Sequence, residues 1–155
     1  MIKEYELLQR DDHSVFLSEI RIVTEENVFA KSADEISKVL KLIFRDFAQE
    51  HAYAIVMTTV CEVIGVVCIG IGSYNYAPIP KASLLQSVLL LNASSVILAH
   101  NHPSSFCFPS EDDVKTTADM KRCCELLGIQ LLDHFVVGKH EYYSINEKRF
   151  IGGKE

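Results

Sequence analysis

The spacing of hydrophobic and polar residues along the chain predicts strands and helices that follow one another without a strict repeat. Alternation over Val15–Val23 predicts a first strand. The apolar, β-branched runs His51–Val60 and Val63–Ile71 predict a hairpin, and Thr59–Glu62 supplies its turn. The remaining predicted strands are Ser95–Ala99, Ile129–Val137 and Tyr142–Ile145.

Three further segments have apolar residues at helical spacing. The first helix follows the capping residue Ser32 and is expected to end near Gln49. The second begins at Pro80, a residue that suits the first turn of a helix, and the third spans Ser110–Leu127. This order predicts an α/β (α+β layered) fold with a mixed β-sheet flanked by helices. We interpret residues 1–31 as an N-terminal extension with one strand, packed on a main domain of residues 32–155.

Composition narrows the classes of protein that this chain can represent. Its 155 residues are 48% hydrophobic and 23% charged, as in ordinary soluble proteins, and no apolar run is long enough for a membrane span. The N-terminus lacks the apolar core of a signal peptide. Five cysteines, an odd number, fit a reducing compartment, so we expect a cytoplasmic protein. The net charge of −6 argues against binding to nucleic acid.

The stretch HNHPSSFCFPSEDD begins at the end of the predicted strand Ser95–Ala99. Side chains two positions apart on a strand project from one face, about 6.5–7 Å apart at the backbone. His100 and His102 can therefore bind one cation together, whereas Asn101 points to the opposite face. An H-x-H pair alone is weak evidence for a metal, because isolated matches are common.

The end of the same stretch has a simpler interpretation. Ser110 followed three residues later by Asp113, just before a helical pattern, predicts a capping box. The capping and metal-binding interpretations compete for the same oxygens. A carboxylate that folds back onto the amide of Ser110 is expected to be poorly placed for a cation held by the histidines.

The joint spacing distinguishes the two interpretations. His-x-His, seven residues, then Ser-x-x-Asp resembles the signature of the JAB1/MPN/Mov34 (JAMM) metalloenzymes. AHNHPSS and PSEDD, with LLDHFVVG downstream, look like the RadC-like branch, and the match extends from about Glu50 to Ile151. The resemblance implies a JAMM domain, of cytidine-deaminase-like architecture, that binds one Zn²⁺ and hydrolyses an amide bond.

The resemblance also implies a role for each matching residue. His100, His102 and Asp113 would bind the zinc and leave its fourth position to water, as in catalytic zinc sites. Ser110 would hydrogen-bond the water or the developing oxyanion. The general base of the family falls on Glu50, at the junction of helix and strand. Glu62 is the competitor, but it lies at the far end of the predicted hairpin.

Several positions depart from the family pattern. Ser105 replaces a glycine after HNHPS, and Lys81 and Ala82 stand where an arginine and a glutamate are usual. These changes leave turnover and substrate open. Cys107 could silence the enzyme as a fourth zinc ligand, although a small apolar loop residue is the simpler interpretation. A Cys107→Ser variant with unchanged zinc coordination and activity would exclude that ligand.

The motif LLDHFVVG adds one more candidate. Neighbouring residues on a strand face opposite ways, so at most one of Asp133 and His134 can approach the metal site, as a residue that orients a ligand.

Three functions follow as hypotheses. The first is a zinc-dependent hydrolase (a JAMM-type metallopeptidase or isopeptidase) acting on a peptide or isopeptide-type substrate. The alternatives are a non-catalytic scaffold and a DNA-repair-associated RadC-like module. A membrane partner is not expected. A homo-oligomer paired through Val15–Val23 is left open, as is the identity of the substrate.

Overall fold

A computed structural model describes residues 1–73, 79–104 and 106–152 of the chain. Within these ranges the chain forms eight strands and three helices. The strands are β1 (Ile2–Gln9), β2 (Val15–Thr24), β3 (His51–Met57), β4 (Val63–Ile71), β5 (Ser95–Asn101), β6 (Gln130–Val137), β7 (Tyr142–Ser144) and β8 (Arg149–Ile151). The helices are α1 (Ala33–Ile43), α2 (Lys81–Leu90) and α3 (Glu111–Leu126).

The strands form one mixed sheet in the order β2-β1-β4-β3-β5-β6-β7-β8. β1 pairs parallel to β4 and β5 parallel to β6, while the other neighbours are antiparallel. The sheet has helices on both faces, which confirms the predicted α+β fold. β3 and β5 occupy the middle of the sheet, and the site is built at the end of this pair.

Alternation along the central strands separates two cores. On β3, Tyr53, Ile55 and Met57 pack in the core that contains α1. The intervening residues, such as Ala54, pack with residues of α2 and α3 on the other face. On β5, Leu98 belongs to this second core, so His100, two residues further on, also faces α3.

The N-terminal region contains two strands, β1 and β2, where the sequence predicted one. β1 joins the sheet between β2 and β4, so the region continues the sheet of the main domain. Its core positions include Glu4, a carboxylate that is buried because Arg21 and Tyr53 donate hydrogen bonds to it. The domain boundary at residue 31 stays a prediction.

α1 ends at Ile43, six residues before the predicted end. The backbone of Phe44 is extended, and the side chain of Asp46 accepts a hydrogen bond from the amide of Ala48 at 2.8 Å. This local bond offers the backbone an alternative to the helix. Phe44 instead packs edge-on against Tyr53 of β3, with ring centroids 5.2 Å apart.

One predicted loop falls partly, and one departure from the family pattern wholly, outside the described residues. The predicted loop from residue 72 to residue 80 is described only at its ends, and Ser105 is not described. Among the described residues, no helix combines the length and the apolar character that crossing a membrane requires.

Candidate metal centre

Two histidines lie where β5 ends in the middle of the sheet. His100 pairs with Ala52 of β3 and is 3% exposed. His102 follows one residue beyond the strand, and its amide still donates to the carbonyl of Val137 on β6 at 3.0 Å. This bond continues the strand-like backbone, so both imidazoles project toward α3. Their Nε2 atoms lie 3.0 Å apart.

Asp113 reaches the same place from the first turn of α3. Its Oδ1 lies 3.3 Å from Nε2 of His100, and its Oδ2 lies 3.5 Å from Nε2 of His102. Asp113 is also half of a capping box: Oδ2 accepts from the amide of Ser110 at 2.7 Å, and the Ser110 hydroxyl accepts from the amide of Asp113 at 3.1 Å. The expectation that the cap excludes the histidines was therefore wrong. A carboxylate has two oxygens with about four acceptor sites, which is enough for both contacts.

The spacing of these atoms fits a metal ion. Ligand atoms of His100, His102 and Asp113 all lie within 4.8 Å of one another. A tetrahedral zinc with bonds of about 2.0–2.1 Å holds its ligand atoms about 3.3 Å apart. The 3.0, 3.3 and 3.5 Å separations found here bracket that value. Two imidazoles and one carboxylate are also donors that zinc prefers, so the group could hold such an ion.

The charges of the site are coupled. Burial opposes the charged form of Asp113, but hydrogen bonds with His100 and His102 hold the pKa of its carboxyl well below the usual range. Burial likewise opposes protonation of His102, yet Asp113, the carbonyl of Phe106 and the charge of Glu50 raise its pKa. The arrangement thus stabilises positive charge between the histidines and the carboxylate.

The Nδ1 atom of each imidazole points away from Asp113 and makes a separate hydrogen bond. Nδ1 of His102 lies 2.6 Å from the carbonyl oxygen of Phe106. Because a carbonyl only accepts hydrogen bonds, Nδ1 carries the hydrogen when the ring is neutral and Nε2 offers a lone pair. Nδ1 of His100 lies 2.7 Å from Nε2 of His134, and Nδ1 of His134 lies 2.6 Å from Oγ1 of Thr117.

His134 is the member of the Asp133-His134 pair that approaches the site. It is fully buried, and burial together with the neighbouring His100 lowers its pKa well below the ordinary value. Asp133 turns to the opposite face, where it accepts hydrogen bonds from the hydroxyl of Ser144 and the amide of Asn146. Burial raises the pKa of Asp133, although these hydrogen bonds oppose the rise.

The strand register places Glu50 beside the histidines and Glu62 far from them. Ala52 is paired with His100, so Glu50, two residues earlier on the antiparallel partner, lies alongside His102. Glu50 is 6% exposed, and its charge contributes to the raised pKa of His102. Glu62 lies in the turn beyond the other end of β3.

Asn101 holds the chain on both sides of Glu50. Its amide nitrogen donates to the carbonyl of Gln49 at 3.0 Å, and its amide oxygen accepts from the backbone N–H of His51 at 2.7 Å. The side chain is fully buried on the face opposite the two histidines. These two bonds help to fix the backbone that carries Glu50, which also hydrogen-bonds the segment that follows β4.

Cys107 lies in a separate apolar cluster with Val136 and Tyr143. Burial, with a smaller effect of the nearby Glu141, raises the pKa of its thiol to about 11. Among the described residues, the group suited to a metal contains no cysteine. This placement favours the apolar-residue interpretation over an inhibitory ligand. Of the departures at the start of α2, Lys81 forms a partly exposed ion pair with α3, in which its Nζ lies 3.9 Å from Oδ2 of Asp119.

The sequence interpretation missed the contacts of two residues. Asn101 was expected only to point away from the histidines, yet a buried amide needs partners, and the HNH alternation indicates the face on which to seek them. Thr117 was not considered. Its signal is the spacing, because a residue four positions after Asp113 lies on the same face of a helix.

Comparison with known proteins agrees with the fold and the motif. The RadC-like JAB domain profile matches residues 30–150. A UPF0758 protein of Streptococcus thermophilus is 37% identical over 118 residues, covering 76% of this chain and 52% of that protein. For a UPF0758 protein of Coprothermobacter proteolyticus the identity is 34% over 135 residues, with coverages of 87% and 56%. One of Staphylococcus haemolyticus is 31% identical over 125 residues, with coverages of 81% and 55%. The chain spans about half the length of these curated relatives.

Proposed function

Because the chain belongs to the RadC-like JAB domain family, we propose that it is a zinc-dependent hydrolase that cleaves an amide bond in a peptide or isopeptide. His100, His102 and Asp113 would hold the ion. When bound there, zinc would supply Lewis-acid polarisation and lower the pKa of a coordinated water toward about 7. The single observation that carries the proposal is the spacing of 3.0–3.5 Å among the two Nε2 atoms and the oxygens of Asp113.

Glu50 is the proposed general base. Its carboxylate would accept a proton from the attacking water and deliver it to the nitrogen of the departing amine. Two features support this role: the register that sets Glu50 alongside His102, and a backbone fixed by Asn101. A base held this way loses little entropy when the reaction begins.

Ser110 is the proposed donor to the oxyanion. Its oxygen already accepts from the amide of Asp113, which leaves the hydroxyl its own hydrogen to donate. Because Asp113 is the proposed ligand, this bond would keep the Ser110 hydroxyl close to the proposed ion. A donor aimed at developing negative charge stabilises the transition state in a way that water cannot match.

The two alternative hypotheses, a non-catalytic scaffold and a DNA-repair module, are less well supported. A non-catalytic scaffold has no need of a buried carboxylate beside the metal group, such as Glu50. A role in DNA repair rests on the RadC-like relationship alone, and the net charge of −6 opposes contact with phosphates. We also propose the cytoplasm as the compartment, since all five cysteines are free thiols. Self-association through β2 stays a proposal without specific support.

Metal analysis tests the site directly. The purified protein, supplied with zinc and dialysed, should retain about one equivalent, and His100→Ala and Asp113→Ala should each lose it. Asp112→Ala is the matched control, because Asp112 is the exposed neighbour of Asp113 on the same helix turn. A folded wild-type protein that retains no zinc, or variants that retain it as well as the wild type, would contradict the proposed site.

The catalytic role needs a second pair of variants. Hydrolysis of peptide and isopeptide libraries should be lost in Glu50→Gln while zinc content is unchanged. Glu62→Gln is the control, because Glu62 lies at the other end of the hairpin and should leave both properties intact. Equal activity of the wild-type and Glu50→Gln proteins would exclude Glu50 as the base.

A further inference from the structure

We infer that His134 and Thr117 are positioning residues that fix which nitrogen of His100 faces the metal. This inference rests on the proposed zinc site. Both residues lie outside the set of proposed ligands and reacting groups. They are joined to it by a continuous line of hydrogen bonds that begins at His100 on β5, crosses His134 on β6 and ends on α3.

The line consists of three short contacts. Nδ1 of His100 and Nε2 of His134 are 2.7 Å apart. Nδ1 of His134 and Oγ1 of Thr117 are 2.6 Å apart. Finally, Oγ1 of Thr117 lies 2.6 Å from the backbone carbonyl oxygen of Asp113. The line therefore returns to the residue whose side chain is the third proposed ligand.

The carbonyl at the end gives the line its direction. A carbonyl oxygen only accepts, so the single hydrogen of the Thr117 hydroxyl is donated to Asp113. Thr117 must then accept from His134, and Nδ1 of His134 carries a hydrogen. A fully buried imidazole favours the neutral form, because a buried charge is costly to desolvate, so Nε2 of His134 accepts. The donor to it is Nδ1–H of His100.

This direction determines the state of the inner edge of His100. With the hydrogen on Nδ1, its Nε2 presents a lone pair to the space shared with His102 and Asp113. The Phe106 carbonyl imposes the same tautomer on His102. Two lone pairs and a carboxylate then meet within 3.5 Å, an arrangement of acceptors that attracts a cation.

Thr117 also couples the two elements that supply ligands. It lies one helical turn after Asp113 on α3. The packing of α3 against β6 and the orientation of the His100 ring therefore depend on the same hydroxyl. Loss of this hydroxyl should therefore disturb zinc binding without removing a ligand.

Thr117→Val tests the inference, because it replaces the hydroxyl with a methyl group of similar size. Thr117→Ser, which keeps the hydroxyl, and Thr116→Val, a change at the neighbouring threonine, are the matched controls. Zinc affinity, measured by competition with a coloured chelator, should fall about 10- to 100-fold in Thr117→Val and stay within a few-fold of wild type in both controls. Equal affinities in all four folded proteins would overturn the inference.

The tautomers give an independent readout that requires no metal. Long-range ¹H–¹⁵N NMR spectra of the zinc-free wild-type protein at mildly alkaline pH should show hydrogen on Nδ1 of both His100 and His134. Hydrogen on Nε2 of His100 would overturn the inference even if Thr117→Val failed to fold. In Thr117→Val the His100 and His134 signals should shift toward the other tautomer, whereas Thr117→Ser should reproduce the wild-type spectrum.

The two proposals fail in different ways. If the wild-type protein binds no zinc, the proposed function fails, while the wild-type spectrum still decides the tautomer of His100. If the wild-type protein binds zinc but His100 carries its hydrogen on Nε2 in the metal-free state, the positioning roles of His134 and Thr117 fail and the zinc site stands.

Discussion

Asp113 shows how one side chain can serve the fold and the site together. Its Oδ2 closes the capping box with Ser110, while Oδ1 faces His100. The cap fixes the backbone and the rotamer of the carboxylate before any ion arrives, so little conformational freedom is left to lose when one binds. Capping at this position would therefore assist binding of the proposed ion.

The pair of His102 and Asp113 should stabilise the zinc-free protein only within a limited range of pH. Although burial opposes its charge, the hydrogen bonds with the histidines lower the pKa of Asp113 in the folded protein. Its contribution to the free energy of unfolding is therefore present above pH 3.8, the ordinary pKa, and is lost as the pH falls through the pKa of the folded protein. Despite burial, the pKa of His102 is raised in the folded protein. Its contribution to the free energy of unfolding is therefore complete below pH 6.5, the ordinary pKa, and is lost as the pH rises through the pKa of the folded protein. Both contributions are present between pH 3.8 and 6.5.

Asp113→Asn should reveal this window. In urea denaturation with a chelator present, the difference in unfolding free energy between wild type and variant should be largest at weakly acidic pH and shrink at alkaline pH. The capping contribution does not depend on pH in this range and does not produce such a trend. Asp112→Asn should give a flat profile, and a flat profile for Asp113→Asn would contradict the proposed coupling.

At the scale of the element, the two helices capped by serine provide a matched experiment. Ser32 caps α1 through the amide of Glu35, and Ser110 caps α3 through the amide of Asp113. Replacing either serine with alanine should destabilise the protein by about 1 kcal/mol in urea denaturation.

Only the change in α3 should affect catalysis. Ser110→Ala should lower kcat about 10²- to 10³-fold through loss of the proposed oxyanion donor, whereas Ser32→Ala should leave kcat unchanged. Equal kcat values for the two variants would assign Ser110 a purely structural role.

The junction between α1 and β3 depends on Asn101. Asn101→Ala removes both bonds to Gln49 and His51 and leaves the backbone groups around them without their partner, so it should destabilise the protein by about 2–3 kcal/mol. Zinc content should be unchanged, because the Asn101 side chain faces away from the histidines, while hydrolysis should fall as Glu50 loses its fixed position.

Asn146→Ala serves as the control for Asn101→Ala, since Asn146 is exposed and its change should stay within about 0.5 kcal/mol of wild type. Urea denaturation, zinc analysis and kcat measured on the same samples separate the three effects. Unchanged stability and activity in Asn101→Ala would show that the segment around Glu50 is held by other contacts.

Most elements could be predicted because their pattern lies within their own sequence. β4 matches its predicted bounds, and Pro80 and Ser110 mark the starts of α2 and α3. β1 could not be found this way, because its buried Glu4 depends on Arg21, a partner on another strand. β8 has three residues, too few for any periodicity.

The candidate site, too, could be predicted from the sequence only in part. The resemblance of the motif to the JAMM signature was enough to propose His100, His102 and Asp113 together, and the register confirms that Glu62 is remote from them. The contacts of Asn101 could not be predicted, because they join residues about 50 positions apart in the chain. Such contacts exist only after the strands have paired.

For the whole molecule, the distribution of charge bears on the DNA-associated alternative. With a net charge of −6, the chain should not saturate a fluorescent DNA duplex at concentrations up to about 100 µM at physiological salt. Fluorescence anisotropy measures this directly, with bovine serum albumin as an acidic control protein. Tight binding would favour the DNA-associated hypothesis over the peptide-substrate hypothesis. A protein whose net negative charge repels DNA would then need a dedicated contact surface.

The pairing of β3 with β5 has a consequence for how this domain can vary. Glu50 and His102 each stand two residues beyond the pairing of Ala52 with His100, so main-chain hydrogen bonds set their separation. A single residue inserted into β3 would displace the carboxylate by about 3.3 Å and turn it to the opposite face. The backbone of Glu50 also hydrogen-bonds Gly72 and Ser73, so the residues that directly follow β4 are tied to the same register. The length of β3 and of the first residues after β4 should therefore be kept in any engineered variant that retains Glu50 beside His102.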